Sequence, residues 1–315
     1  MIVLIDSGNT RLKVAVLRAG RADAAVALDS ADPAALERWL GSLPAPPQRA
    51  VGSNVAGLAR AKAIEAALRQ YRCVTQWVRP RTQALGLTSR YTDPSQLGPD
   101  RWAAMLGVLG RSGTCARPGP ETIIDPVGNP VTRAKPGDAS ATGTGSPTDG
   151  GADAAIGAAP GIVAKPATGF LLASFGTATT LDCVSADGVF EGGAILPGPA
   201  MMRAALAAGT AALPLAQGAA VAFPLDTQQA ITTGVAAAQA GAVLRQWLAA
   251  LQRFGAAPRL YVTGGGWPEV EAETRRLLAH AAASMNCAAP QPCLLDHPVL
   301  DGLARLATQD DQGAA

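Results

Sequence analysis

The chain has 315 residues and a mass of 31.8 kDa, with 48% hydrophobic residues, 16% charged residues and a formal net charge of +2. That length accommodates about two ordinary domains, each with its own core, without disulfide or metal staples. The 26 basic and 24 acidic residues are spread along the chain and build no basic face for nucleic acid. No apolar run approaches the ~20 residues of a membrane span. The apolar opening Met1 to Ile5 stops at Asp6, too short for a secretory core. A cytoplasmic protein with no membrane or nucleic-acid partner is therefore expected. Cys73, Cys115, Cys183, Cys287 and Cys293 read as free thiols in a reducing compartment.

Met1 to Ile5 reads as a buried strand and Asp6-Ser7-Gly8-Asn9 as a turn, with Leu12, Val14 and Val16 alternating along a second strand. Val51 to Val55 and Cys73 to Val78 read as strands flanking a helix from Leu58 to Tyr71, which is α/β alternation. Trp102, Met105, Leu106 and Leu109 fall on one face of a helix that begins just after Pro99-Asp100. From residue 113 to residue 169 the periodicity stops. Gly, Pro, Ala and Thr dominate there, and such a segment cannot offset its ordering entropy by burial, so a disordered insertion is expected.

Order resumes at Phe170, where the sequence repeats its own opening. Val3-Leu4-Ile5-Asp6-Ser7-Gly8-Asn9-Thr10 lies over Leu171-Leu172-Ala173-Ser174-Phe175-Gly176-Thr177-Ala178, each an apolar strand entering a glycine turn. A Gly/Pro-rich stretch from Gly192 to Pro199 follows, with helices near Ala200 to Ala208 and Gly234 to Phe254. A strand from Arg259 to Val262 then runs into Thr263-Gly264-Gly265-Gly266 and a helix from Pro268.

Asp-Ser-Gly-Asn alone is a good hairpin turn and nothing more. Its repetition, with a third glycine run between strand and helix, suits a nucleoside triphosphate, because glycine lets backbone N–H groups approach phosphate oxygens. Asp6 could orient the accompanying metal. No lysine follows a glycine, so no Walker loop can be written, and no G-x-S-x-G elbow supports a serine hydrolase. His280, Cys287, Cys293 and His297 cluster late in the chain, but their C-x₅-C spacing departs from structural zinc patterns, and they read as ordinary thiols and a surface histidine. Asp100 before the Trp102 helix reads as an N-cap or as a catalytic carboxylate. The two are compatible: a carboxylate at a helix start can take the proton of an alcohol attacking phosphorus, and Arg101 can grip an anionic group bidentately.

Six motifs in order now resemble the type III pantothenate kinases of the acetate and sugar kinase/Hsp70/actin superfamily. They are Asp6 to Lys13, Tyr91 to Arg101, Phe175 to Thr180, Gly192 to Gly198, Asp226-Thr227 and Thr263 to Gly266. The resemblance implies an α/β chain with two ribonuclease-H-like lobes, a duplicated actin-like ATPase fold. They would span residues 1–112 and 170–306, separated by the insertion at 113–169 and followed by a tail at 307–315. It implies phosphorylation of pantothenate by ATP, the first step toward coenzyme A.

By that resemblance Asp6, Ser7, Gly8, Asn9, Thr10, Arg11, Leu12 and Lys13 form the first phosphate loop, with Asp6 toward Mg²⁺. Thr177 lies on the second loop, and Gly264 and Gly265 approach adenosine. Tyr91, Gly98, Pro99, Asp100, Arg101 and Thr227 line the pantothenate pocket, with Asp100 as general base. Homodimers are implied, as is a monovalent cation, K⁺ or NH₄⁺. Ser174 stands where the family commonly has an aspartate for that cation, so a weak cation site and relaxed cation dependence are expected. A kinase for another small alcohol or acid, or a nucleotide-binding regulatory or accessory protein of the same fold, are the alternatives.

Overall fold

The computed structural model describes residues 1–29, 32, 34–111, 122–124, 130–132 and 168–313. The chain divides into one compact unit built from Met1–Gly113 and Val163–Ala315 and a second from Thr114–Ile162.

In the larger unit the chain opens with β1 (Ile2–Ser7), β2 (Arg11–Arg18), β3 (Arg21–Asp29), α1 (Ala35–Gly41), β4 (Arg49–Asn54), α2 (Leu58–Arg69) and β5 (Val74–Trp77). These strands form one sheet in the order β3-β2-β1-β4-β5. The first two pairings are antiparallel and those of β1 with β4 and β4 with β5 are parallel. Val3-Leu4-Ile5 is apolar without alternation because both faces of this central strand are covered. Val3, Ile5 and Val14 pack on one side with Leu36 of α1 and Ile64 and Leu68 of α2.

A short hairpin follows, β6 (Gln83–Ala84) and β7 (Leu87–Ser89), then α3 (Pro99–Leu109). In the smaller unit β8 (Thr122–Ile124) pairs antiparallel with β9 (Pro130–Thr132). This pair lies where an insertion without elements is expected, and its β-branched Thr, Ile and Val residues favour strand. The rest of that expectation lies outside the described residues.

The remaining elements return to the larger unit: β10 (Phe170–Phe175), β11 (Ala178–Val184), β12 (Val189–Pro197), α4 (Pro199–Gly209), α5 (Thr227–Phe254), β13 (Arg259–Thr263), α6 (Trp267–Ser284), β14 (Cys293–Leu294) and α7 (Pro298–Gly313). They build a second sheet in the order β14-β13-β10-β11-β12-β7-β6. Within it β12-β11-β10-β13-β14 repeats the order and strand directions of the first sheet. The architecture is α/β with a duplicated sheet plan, as the repeated glycine turns imply.

Two elements cross between the halves. The β6–β7 hairpin, from the first half of the sequence, adds to the second sheet through β7 and β12. Helix α7, from the end, covers the first sheet: Leu300, Leu303, Ala304 and Ala307 pack with Leu4, Ala15, Val51 and Ala103. Residues 307–313, expected as a tail, are therefore the last turns of a helix, and Arg49 Nη2 donates to the Ala307 carbonyl at 2.7 Å. Helix α3 is buried along nearly its whole length because it lies between α7 and the second sheet, where Trp102, Met105 and Leu106 meet Phe170, Leu172 and Tyr261. The other face of that sheet packs Leu171, Ala173 and Val262 against Trp247 of α5 and Leu278 of α6.

Cys293 is disulfide-bonded, which corrects the expectation of five free thiols, whereas Cys73, Cys183 and Cys287 are free. Among the described residues no helix is long and apolar enough to cross a membrane.

Candidate functional site

The two glycine turns are the ends of matching hairpins. In the first, β1 and β2 pair as far as Ser7 with Leu12, and the Gly8 N–H donates to the Arg11 carbonyl at 3.2 Å. In the second, β10 and β11 pair as far as Phe175 with Thr179, and the Gly176 N–H donates to the Ala178 carbonyl at 3.0 Å. The hairpin tips meet: the hydroxyls of Thr10 and Thr177 are 2.6 Å apart although 167 residues separate them. Two backbone turns rich in glycine and hydroxyl groups thus face one another, a geometry suited to a phosphate chain.

A third turn supports the second. Gly264 follows β13 with φ of +99°, and a Cβ there would fall 2.3 Å from the Phe175 carbonyl oxygen, so only glycine fits. The Gly266 N–H donates to that same carbonyl at 3.0 Å, and α6 begins at Trp267. The N-terminus of α6 is thereby fixed beside the second hairpin. The Gly198 N–H, just before α4, donates to the Thr177 carbonyl at 2.9 Å.

Asp6 lies near the end of β1, before the equally buried Ser7, and is only 9% exposed. Ser53, opposite it on β4, donates its hydroxyl to Asp6 Oδ1 at 3.1 Å. Burial pushes the Asp6 carboxyl up to about 6; Lys13 opposes the shift, Asp100 adds to it and the Ser53 bond opposes it. Asp6 and Asp100, far apart in sequence, therefore feel each other's charge. A desolvated carboxylate with a second one in its field and hydroxyl oxygen beside it suits a hard divalent cation such as Mg²⁺.

Asp100 lies in the first turn of α3, whose N-cap is Gly98, with Pro99 at the first helical position. The expected capping role is thus corrected in its detail: Asp100 Oδ1 accepts the Arg101 N–H at 2.8 Å from inside the helix. Burial raises the Asp100 carboxyl above its ordinary range, against the Arg101 N–H bond and the Arg101 charge. A buried, raised carboxylate whose charge reaches Asp6 has the properties of a general base.

Arg101, read from the sequence as a bidentate grip for an anionic group, already has one side of its fork engaged within the protein. It is 6% exposed, and its Nε and Nη2 bind Asp182 of β11, with Nε–Oδ1 at 3.0 Å. Nη1 donates to the Tyr91 hydroxyl at 3.4 Å, and the guanidinium lies 5.8 Å from the centre of the Phe190 ring. Tyr91 itself stacks tilted on Phe190 at 5.4 Å. The structure thus gathers Tyr91, Gly98, Pro99, Asp100 and Arg101, and adds Ser53, Asp182 and Phe190, which the sequence reading did not single out. The only signals for the two polar additions are a serine in a β strand and a charged residue within the otherwise apolar run Thr180-Leu-Asp-Cys-Val184.

Thr227 is placed elsewhere, in the first turn of α5 after the N-cap Asp226, whose carboxylate accepts the Gln229 N–H at 2.9 Å. It lines a groove of about 480 Å³ between α4 and α5 with Met202, Leu206 and Ile231. Ser174 occupies the position in β10 that Asp6 occupies in β1, opposite Thr180 and Thr263. Hydroxyls surround it in register, a neutral and weak donor set for a monovalent cation. His297, at the start of α7, has its Nδ1 buried, and burial followed by the Lys13 charge lowers its imidazole.

A family model described as type III pantothenate kinase matches residues 2–116 and 140–249. The chain is 49% identical over 314 residues to a type III pantothenate kinase of Bordetella pertussis, covering 98% of each. It is 35% identical over 310 residues to one of Aromatoleum aromaticum, covering 98% of this chain and 99% of that protein.

Proposed function

We propose, for a chain that belongs to the type III pantothenate kinase family, that it transfers the γ-phosphoryl group of ATP to the terminal primary hydroxyl of pantothenate, giving 4′-phosphopantothenate for coenzyme A biosynthesis. The observation that carries this reading is the meeting of the Thr10 and Thr177 hairpin tips, with Asp6 and Asp100 within each other's field. When bound, Mg²⁺ would neutralise charge on the β- and γ-phosphates, and Asp6 is the carboxylate to hold it. The hairpin backbones position the phosphates, and the Gly264–Gly266 turn and the start of α6 support them from behind. Asp100 accepts the proton of the attacking hydroxyl at its carboxylate. Tyr91 and the outer edge of Arg101 hold the acceptor's anionic group. Positioning and electrostatics supply the acceleration, with no covalent enzyme intermediate.

ADP release by the purified protein, measured with Mg·ATP with and without pantothenate, tests the reading. Release that depends on pantothenate is expected. Because Ser174 offers a hydroxyl where a carboxylate would attract a cation, similar rates in potassium and sodium are expected too. ATP binding without acceptor-dependent release would instead favour a regulatory protein of this fold.

The same reading includes a homodimer. Phe223 is 86% exposed and Leu225 91%, just before Thr227 in the chain, and Met201, Leu215 and Leu206, which lines the groove that holds Thr227, are also exposed. An apolar surface of this kind beside a candidate acceptor residue suits burial against a second copy. Sedimentation is expected to give a dimer, and Phe223→Asp with Leu225→Asp to shift it toward monomer.

A further inference from the structure

The ion pair between Arg101 and Asp182 joins the first turn of α3 to the centre of β11. Asp182 is 1% exposed, so its charge has been taken almost wholly out of water. A buried pair of this kind contributes little net stability, because a well-packed apolar pair of similar volume does as well. Its distinctive property is geometric: a carboxylate fixes the plane and rotation of a guanidinium.

The surrounding chain is built around that geometry. Gly193 stands directly opposite Asp182 on β12. A Cβ at Gly193 would lie 2.3 Å from the Leu181 carbonyl oxygen, 2.7 Å from Asp182 Oδ1 and 2.9 Å from Arg101 Nη2, so the glycine leaves room for both the β11 backbone and the pair. Phe190 supports the flat face of the guanidinium, and Tyr91 receives Nη1. Asp182 takes the Nε and Nη2 side of the fork, which leaves the Nη1 side, beside the Tyr91 hydroxyl, as the side with donors to offer.

We propose that Asp182 is a positioning residue of the acceptor site, which by binding the Nε–Nη2 edge of Arg101 presents its Nη1 edge and the Tyr91 hydroxyl to the anionic end of the acceptor. The inference rests on the reading of Arg101 as an acceptor residue. Asp182 does not touch the acceptor; it acts through the orientation of its partner.

Steady-state kinetics of the full chain, varying pantothenate and Mg·ATP separately, test this with Asp182→Asn, Arg101→Met and the double variant. Asp182→Asn is expected to raise the pantothenate KM about 10-fold or more, the scale of a lost charge-assisted hydrogen bond, and to leave the ATP KM within about twofold. In the Arg101→Met background, Asp182→Asn is expected to add nothing to the pantothenate KM, because residues acting through one another are non-additive. A merely structural Asp182 would lower the melting temperature while leaving the two KM values unchanged or moving them together, and that result overturns the proposal. If Asp182→Asn leaves a buried guanidinium unpaired and does not fold, the double variant carries neither charge and supplies the test. A pantothenate KM higher than that of Arg101→Met alone overturns the proposal. An Arg101→Met variant with an unchanged pantothenate KM overturns the acceptor-site reading itself. An effect of Arg101→Met without one of Asp182→Asn overturns only the positioning role.

Discussion

Asp100→Asn is expected to lower kcat by about 10²- to 10⁴-fold, the usual range for removing a general base, while ATP still binds. The substitution keeps shape and the Oδ1 that accepts the Arg101 N–H, so the helix start is preserved and only the proton acceptor is lost. The wild-type pH profile carries a second signature. Burial raises the Asp100 carboxyl, and the base works only when deprotonated, so activity falls as pH drops through a value above the ordinary carboxylate range. Asp6, with its carboxyl near 6 before any cation binds, adds a loss on the same acid side, and excess Mg²⁺ competes with that proton and moves this loss to lower pH. The limb that belongs to Asp100 moves the same way by a smaller amount, because Asp100 lies in the field of the Asp6 site without being the group that holds the cation. A variant retaining more than about a tenth of wild-type kcat would remove Asp100 from the role of base.

Gly264→Ala is expected to cost about 2–4 kcal/mol of folding stability, combining left-handed backbone strain with overpacking. The added Cβ would fall 2.3 Å from the Phe175 carbonyl oxygen, 2.6 Å from its carbon and 2.9 Å from its nitrogen, all backbone atoms that no rotamer change can clear. Phe175 leads into the Gly176–Thr177 tip, so the clash is transmitted to the second phosphate turn and the ATP KM rises with the loss of stability. Gly265→Ala is the control. Nothing lies within 4 Å of a Cβ at that position, and the change is expected to leave urea unfolding almost unaltered. Equal behaviour of the two variants would show that the Gly264 turn does not brace the site.

The parts legible in the sequence are those encoded locally. Val3-Leu4-Ile5, the alternation through Leu12, Val14 and Val16, and the glycine turns mark strands and hairpins by periodicity, and their repetition reveals the duplicated plan. Helix α3 is readable from Pro99 and the Trp102–Leu109 spacing. The stretch Gly192 to Pro199 is less so: its glycines and prolines argue against strand, yet it belongs mostly to β12, because pairing with β11 overrides local preference and the Leu181 carbonyl and the ion pair opposite leave no room for a Cβ at Gly193. Helix α5 starts at Thr227, well before Gly234, since its first turns carry polar residues and only the Asp226 cap marks the boundary. Asp100, Asp6 and the hairpin turns can be found from motif and charge. Whether Arg101 is free or bound, and where Thr227 lies, depends on which strands and helices come together, and no local spacing encodes that.

Helix α7 also sets an order of assembly during synthesis. All five strands of the first sheet have been synthesised once Trp77 is added, but the face formed by Leu4, Ala15 and Val51, which Ala103 of α3 covers only in part, lacks the rest of its cover until Leu300 to Ala307 follow. At ordinary elongation rates that interval is on the order of tens of seconds. The β6–β7 hairpin waits in the same way for β12. Neither half can complete its core from its own stretch of sequence, so the nascent chain has to keep an apolar sheet face out of aggregates until its final helix arrives.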